Sequence, residues 1–105
     1  MNTKVVHCKK EPYDVYIGRP SKWGNPYQIG RDGTRTDVIE LYKKWIVTKP
    51  ELMNELYTLY GKTLGCWCKP YACHGDVIVE LINKLFNLLN ELINRDRRLE
   101  LIHFF

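Results

Sequence analysis

The sequence predicts a small α/β domain with the element order β-β-α-α-β-α, its short sheet mixed or partly parallel and packed by helices. Three observations carry that reading. Short β-branched runs alternate with longer segments of helical period. Two helical segments separate the second strand from the third, as in a crossover between parallel neighbours. The length of 105 residues leaves room for one core. That length excludes two catalytic domains, a long repeat array or a full-size barrel, and 45% apolar with 27% charged residues is ordinary globular usage rather than that of a disordered chain.

The first strand covers Thr3 to His7 around the β-branched pair Val5 and Val6, and the second is the apolar run Val15 to Ile17 between Pro12 and Gly18. From Gly18 to Gly33 the chain carries four glycines and two prolines among polar and aromatic residues, so this stretch is a long loop. Val38, Leu41, Tyr42, Trp45 and Ile46 then recur at helical spacing, with Thr34 or Thr36 as N-cap. Thr48-Lys49-Pro50-Glu51 has the form of a capping box with proline in the first turn. It predicts a second helix with Leu52, Leu56, Leu59 and Tyr60 on one face and Gly61 as its stop. Thr63 to Trp67 reads as the third strand. Lys69 to Ala72 turns the chain into a third helix that begins near His74 to Asp76. Its apolar face runs through Val77, Ile78, Leu81, Ile82, Leu85, Leu88, Leu89, Leu92 and Ile93, a long stripe expected to pack on something. The motifs lie within residues 1–83, and residues 84–105 continue the last helix and form the C-terminal tail of the same domain. In that tail Phe104 and Phe105 are core, partner contact or chain end.

The net charge of +4 is unevenly placed. Residues 1–35 hold seven cations against three anions, whereas residues 36–105 hold nine of each. An anionic partner for the N-terminal third follows from that asymmetry. No early stretch has the pattern of a signal peptide and no apolar run reaches membrane-span length, so the chain reads as cytoplasmic, with no membrane partner. In a reducing compartment its four cysteines are free thiols or metal ligands rather than disulfides.

Two constellations carry chemistry. The loop from Gly18 through Tyr27 sets Arg19, Ser21, Lys22, Trp23 and Asn25 within one glycine-punctuated segment, which is equipment for holding a phosphate or carboxylate beside a flat ring. Its bland alternative is a loop in which Trp23 plugs the core and Arg19 pairs at the surface. The spacing matches neither a P-loop nor a dinucleotide fingerprint.

The second constellation runs from Gly65 to Asp76 and puts Cys66, Cys68, Cys73 and His74 within nine residues, a Cys3His set suited to Zn2+. Side chains alternate along a strand, so Cys66 and Cys68 can face one way and Trp67 the other. Cys73 and His74, being adjacent, must converge through a turn. Without metal, Cys73 at a helix start is a candidate nucleophile with His74 as its base or charge partner, and the same helix start can receive an anion beside Asp76. The third reading is a buried structural cluster with Asp76 as a helix cap. His7 and His103 read as surface residues, and Arg95, Arg97 and Arg98 as a solvated helix end.

The strings VYIGRPSKWGNPY (Val15 to Tyr27), GRDGTRT (Gly30 to Thr36) and GKTLGCWCKPYACHGDVIVELIN (Gly61 to Asn83) resemble a family of small bacterial and viral proteins. These proteins are often phage-encoded, and the family is classed as a domain of unknown function recognised by its Cys-Trp-Cys motif. The resemblance implies that the Arg19 loop and the cysteine turn define one domain and, for a phage protein, a place in the host-cell cytoplasm. It assigns no activity and does not extend to the tail beyond Lys84. A fainter similarity to another small α/β family, whose turn reads Cys-His-Arg, favours a site at a strand-to-helix turn.

The sequence therefore leads to one expectation. The Arg19 to Asn25 loop and the Cys66 to His74 turn face each other across a pocket for an anionic, nucleotide-like small molecule. Arg19 and Lys22 contact phosphate, Trp23 stacks on the base, and Ser21 or Asn25 hydrogen-bonds the ligand. Whether catalysis follows binding is left open. The alternative is a zinc-stabilised module that contacts nucleic acid or a host protein.

Overall fold

A computed structural model describes residues 2–104, with side chains through residue 97. Strand β1 (Lys4–His7) and strand β2 (Val15–Tyr16) lie on either side of β3 (Thr63–Cys66), and both pair with it in parallel, giving the order β1-β3-β2. The parallel pairing of the second and third strands is as expected, and the first strand is parallel too, so the sheet is wholly parallel rather than mixed or partly parallel. Its register places Val5, Leu64 and Val15 side by side, with Val6, Gly65 and Tyr16 in the next row. Chain 8–14 links β1 to β2 across β3: Cys8 N–H donates to the Cys66 carbonyl, and Asp14 N–H to that of Thr63. Tyr13 on this connection lies against Gly65, where a Cβ would stand 2.6 Å from the ring.

Helix α1 (Arg35–Ile46) starts at Thr34, the first of the two caps the sequence offered. Thr34 Oγ1 accepts from Asp37 N–H while the Asp37 carboxylate accepts from Thr34 N–H, so two otherwise unpaired donors are satisfied reciprocally. Those bonds hold the Asp37 carboxyl below its ordinary value. Val38, Tyr42 and Ile46 are buried. The second predicted helix is broken: α2 covers only Pro50–Met53, and a 3-10 turn covers Leu56–Leu59. No side chain caps α2 at Lys49; Thr48 instead donates its hydroxyl back to the Trp45 carbonyl, so the expected capping box is absent. Leu52, Leu56 and Leu59 are nonetheless buried, as the pattern required.

Helix α3 (His74–Phe104) is a single run of 31 residues, about 46 Å long. Val77, Ile78 and Ile82 are fully or almost fully buried against β1, α1 and the 3-10 turn. Phe86 stacks on Tyr60 at 3.9 Å between ring centroids. Beyond that pair, Leu88, Leu89, Leu92 and Ile93 are 42 to 58% exposed, contrary to a stripe packed along its length. The reason is size: the helix outruns the body, as the extents of 62 × 29 × 22 Å show. The readings of Arg98, His103, Phe104 and Phe105 fall on side chains outside the described ones.

Candidate metal centre and cleft

Strand β3 ends at Cys66 in the middle of the sheet, and the chain turns through Trp67 to Ala72 before α3 begins. Two polar contacts shape that turn. The Asp76 carboxylate accepts from Cys73 N–H at 3.0 Å, supporting the first turn of α3, and pairs with Lys69 Nζ at 2.7 Å. The helix start then packs tightly on the sheet, because Gly75 has no side chain: a Cβ there would stand 2.7 Å from Ile17 Cδ1 and 2.9 Å from Val5 Cγ2. Cys73 and His74 are thereby brought under the end of the sheet.

The Sγ atoms of Cys66, Cys68 and Cys73 lie within 4.8 Å of one another. Cys66 and Cys73 are buried, their sulfurs 3.0 Å apart, and Cys68 is half-buried. Thiolates around a tetrahedral zinc stand about 3.8 Å apart, given bonds of about 2.3 Å. The three cysteines can therefore hold a metal ion after sub-ångström opening. Within the cluster, hydrogen bonds from Cys66 and then Cys73 hold the Cys68 thiol far below the ordinary thiol range, with His74 and Arg35 acting in the same direction. Those bonds push the Cys66 thiol up, through Cys68, and the Cys73 thiol up, through Cys66, Cys68 and burial. Cys73 is fully buried and its thiol is pushed up, both of which weigh against a nucleophile at that position.

His74 is also buried. Its Nε2 lies 2.8 Å from the Ile17 carbonyl oxygen and its Nδ1 3.4 Å from Cys73 Sγ. A carbonyl can only accept, so Nε2 carries a hydrogen and Nδ1 is the nitrogen that faces Cys73 Sγ. A backbone carbonyl orienting a ligating histidine in this way is a recurrent feature of metal sites.

A cleft of about 350 Å³ opens above this cluster. One wall comprises Gly18, Arg19, Asn25 and Tyr27 of the loop; the other is Cys66 to Cys68 and Ala72 to His74; α1 closes the cleft with Arg35, Val38 and Ile39. Of the expected ligand-binding residues, Arg19 and Asn25 line it. Asn25 is already engaged, donating through Nδ2 to the Val38 carbonyl and accepting from Tyr27 N–H through Oδ1. Trp23 does not line the cleft: it is 3% exposed in the core, its carbonyl accepting from the buried Tyr42 hydroxyl at 2.7 Å. Lys22 pairs with Glu55 outside the cleft, and Ser21 is likewise absent from the lining, its buried Oγ without a hydrogen-bond partner among the described residues. Asp76 acts at the helix start.

Two residues enter the site that the motif reading passed over. Arg35 reaches from the first turn of α1 to donate to the Ala72 carbonyl at 3.1 Å, its guanidinium 5.2 Å from the centre of the Tyr71 ring. Trp67 is 55% exposed at the cleft rim, its indole N–H donating to the Tyr16 hydroxyl at 2.9 Å. Trp67 stands at the bend just after β3, and the outward direction expected for it between Cys66 and Cys68 was a signal available to find it.

Among the described residues no helix is long and apolar enough to cross a membrane. A family model for a domain of unknown function, DUF4326, matches residues 2–84. An uncharacterised 12.4 kDa protein from the nrdA-td intergenic region of Enterobacteria phage T4 is 41% identical over 88 residues, covering 79% of this chain and 80% of the phage protein. An uncharacterised protein of Acanthamoeba polyphaga mimivirus is 37% identical over 98 residues, covering 76% of this chain and 71% of the viral one. No solved structure matches the chain. The Arg19 loop, the three-cysteine cluster and the cleft between them all fall within the matched residues, and the chain belongs to the DUF4326 family.

Proposed function

We propose that the protein binds an anionic, nucleotide-like molecule in the cleft, above a zinc ion held by Cys66, Cys68 and Cys73 with His74 Nδ1 as fourth ligand. The observation that carries this reading is that one cleft is lined both by Arg19 and by the three-sulfur cluster. Arg19 and Arg35 bring two guanidiniums for a phosphate, and exposed Trp67 takes the stacking role that buried Trp23 cannot fill. The metal fastens the turn that carries Trp67.

Metal analysis of untagged protein, followed by a thermal-shift panel of nucleoside monophosphates, tests both halves. The expected results are one zinc per chain, a lower melting temperature with chelator, and a ligand shift that is lost in Arg19→Ala and Trp67→Ala. At a hundredfold excess over Kd the shift should be on the order of 10 °C. Absence of stoichiometric metal removes the zinc site; absence of any nucleotide shift removes the ligand.

The second reading, a zinc-stabilised module contacting nucleic acid or a host protein, draws on the exposed Leu88, Leu89, Leu92 and Ile93 beyond the body. Loss of partner capture on truncation after Asn87, with nucleotide binding absent from the full chain, would favour it.

A further inference from the structure

The cleft does not end the ligand-binding equipment. On the rim, the Tyr16 hydroxyl accepts from Trp67 and donates to the Arg19 carbonyl at 3.0 Å, so the two rings are fixed to one another and to the loop. From there aromatic surface continues away from the cleft. Tyr13, 42% exposed, lies 6.3 Å from Tyr16 between ring centroids, and His7 meets Trp67 edge-on at 5.7 Å. Lys9 Nζ stands 5.5 Å from the Trp67 ring, with Lys10 beside it in the chain. The same connection also carries two exposed carboxylates, Glu11 and Asp14, the second of which accepts from Thr63 N–H.

A free mononucleotide brings one base and one phosphate group, which Trp67 and the arginines of the cleft already match. Tyr13 and the paired lysines offer a further ring and further cations beyond the rim. Interleaved exposed rings and cations of this kind suit successive bases and backbone phosphates of a single strand, and rings already held by hydrogen bonds lose little freedom on stacking. We infer that the ligand is a nucleotide within single-stranded nucleic acid: one nucleotide enters the cleft, and its neighbour lies along Trp67, Tyr16 and Tyr13 with Lys9 and Lys10 on the backbone. This rests on the reading of the cleft as a nucleotide site.

Fluorescence anisotropy with labelled ten-nucleotide oligothymidylate and oligouridylate, competed by unlabelled thymidine monophosphate and by a duplex ten-mer, tests it. The single strands should bind at least about tenfold tighter than the mononucleotide or the duplex, with the better of the two identifying DNA or RNA. Tyr13→Leu keeps an apolar cover over Gly65 while removing the ring. Combined with Lys9→Ala, it should weaken single-strand binding by about fivefold or more and leave mononucleotide binding and the melting temperature unchanged. The inference is overturned if the mononucleotide binds as tightly as the strands, if the duplex does, or if the double variant binds normally. Failure of the mononucleotide alone, with strand binding sensitive to Tyr13 but not to Arg19, overturns the cleft reading instead. Failure of every probe overturns both.

Discussion

His74 Nε2 and the Ile17 carbonyl oxygen, 2.8 Å apart, join the first turn of α3 to the chain just after β2. The same bond fixes which imidazole nitrogen faces the sulfurs. His74→Phe leaves that carbonyl without its donor and should cost about 1 to 3 kcal/mol in chemical denaturation. An unchanged midpoint would show that the bond contributes nothing to stability.

Gly75→Ala sets two effects against each other. Alanine favours a helix by about 1 kcal/mol over glycine in an interior position, and by less in a first turn. The added methyl meets Ile17 and Val5 at under 3 Å, and Ile17 is fully buried. Overpacking of that kind costs about 1 to 3 kcal/mol, so a net loss of stability is expected. A stabilised Gly75→Ala protein would mean that the helix start moves away from the sheet without penalty.

Zinc binds cysteine as thiolate, so metal uptake displaces sulfhydryl protons and apparent zinc affinity should rise with pH. Competition with a chromophoric chelator at several pH values measures the slope. Cys68→Ser should abolish stoichiometric zinc with only a small change in metal-free stability, because Cys68 is half-buried. Zinc affinity independent of pH, or retained by that variant, contradicts thiolate ligation.

Asp37 makes α1 sensitive to acid. Its carboxyl is held below its ordinary value by the bonds to Thr34, so its folded pKa lies under its unfolded one. Its contribution is complete above the unfolded value and is lost as pH falls through the folded value. Asp37→Asn should therefore show a shallower decline of melting temperature below about pH 4. An identical acid limb in both proteins would locate the sensitivity elsewhere.

Truncation after Asn87 removes four exposed apolar residues and keeps the Tyr60 and Phe86 stack. Stability should change by no more than about 0.5 kcal/mol, as for other surface changes. Unfolding of the truncated chain would show that the helix beyond residue 87 supports the body.

Much of the scaffold could be read from local pattern. A threonine cap at 34 or 36, the buried positions Val38, Tyr42 and Ile46, the crossover to β3 and the start of α3 all follow from periodicity and end signals in contiguous residues. The break between α2 and the 3-10 turn did not, because one apolar face fits either conformation once Leu52, Leu56 and Leu59 point inward. Nor did the fate of Leu88 to Ile93: a leucine stripe is the same string whether a body lies beneath it or has already ended.

For the site, the sequence by itself determined which donors lie near one another in the chain: three thiols, an imidazole and a guanidinium loop. Tertiary structure decided their use. Trp23 and Trp67 each follow a residue with a functional look, yet one is 3% exposed and the other 55%. The bend after β3 leaves Trp67 at the rim, whereas the Gly18 loop folds Trp23 into the core beside Tyr42. Arg35 joined the cleft because α1 begins opposite the cysteine turn, a proximity across 37 residues that no local pattern encodes. Composition sets which chemistry is on hand, and packing decides which side chains keep a free face for a ligand once the core has claimed its share.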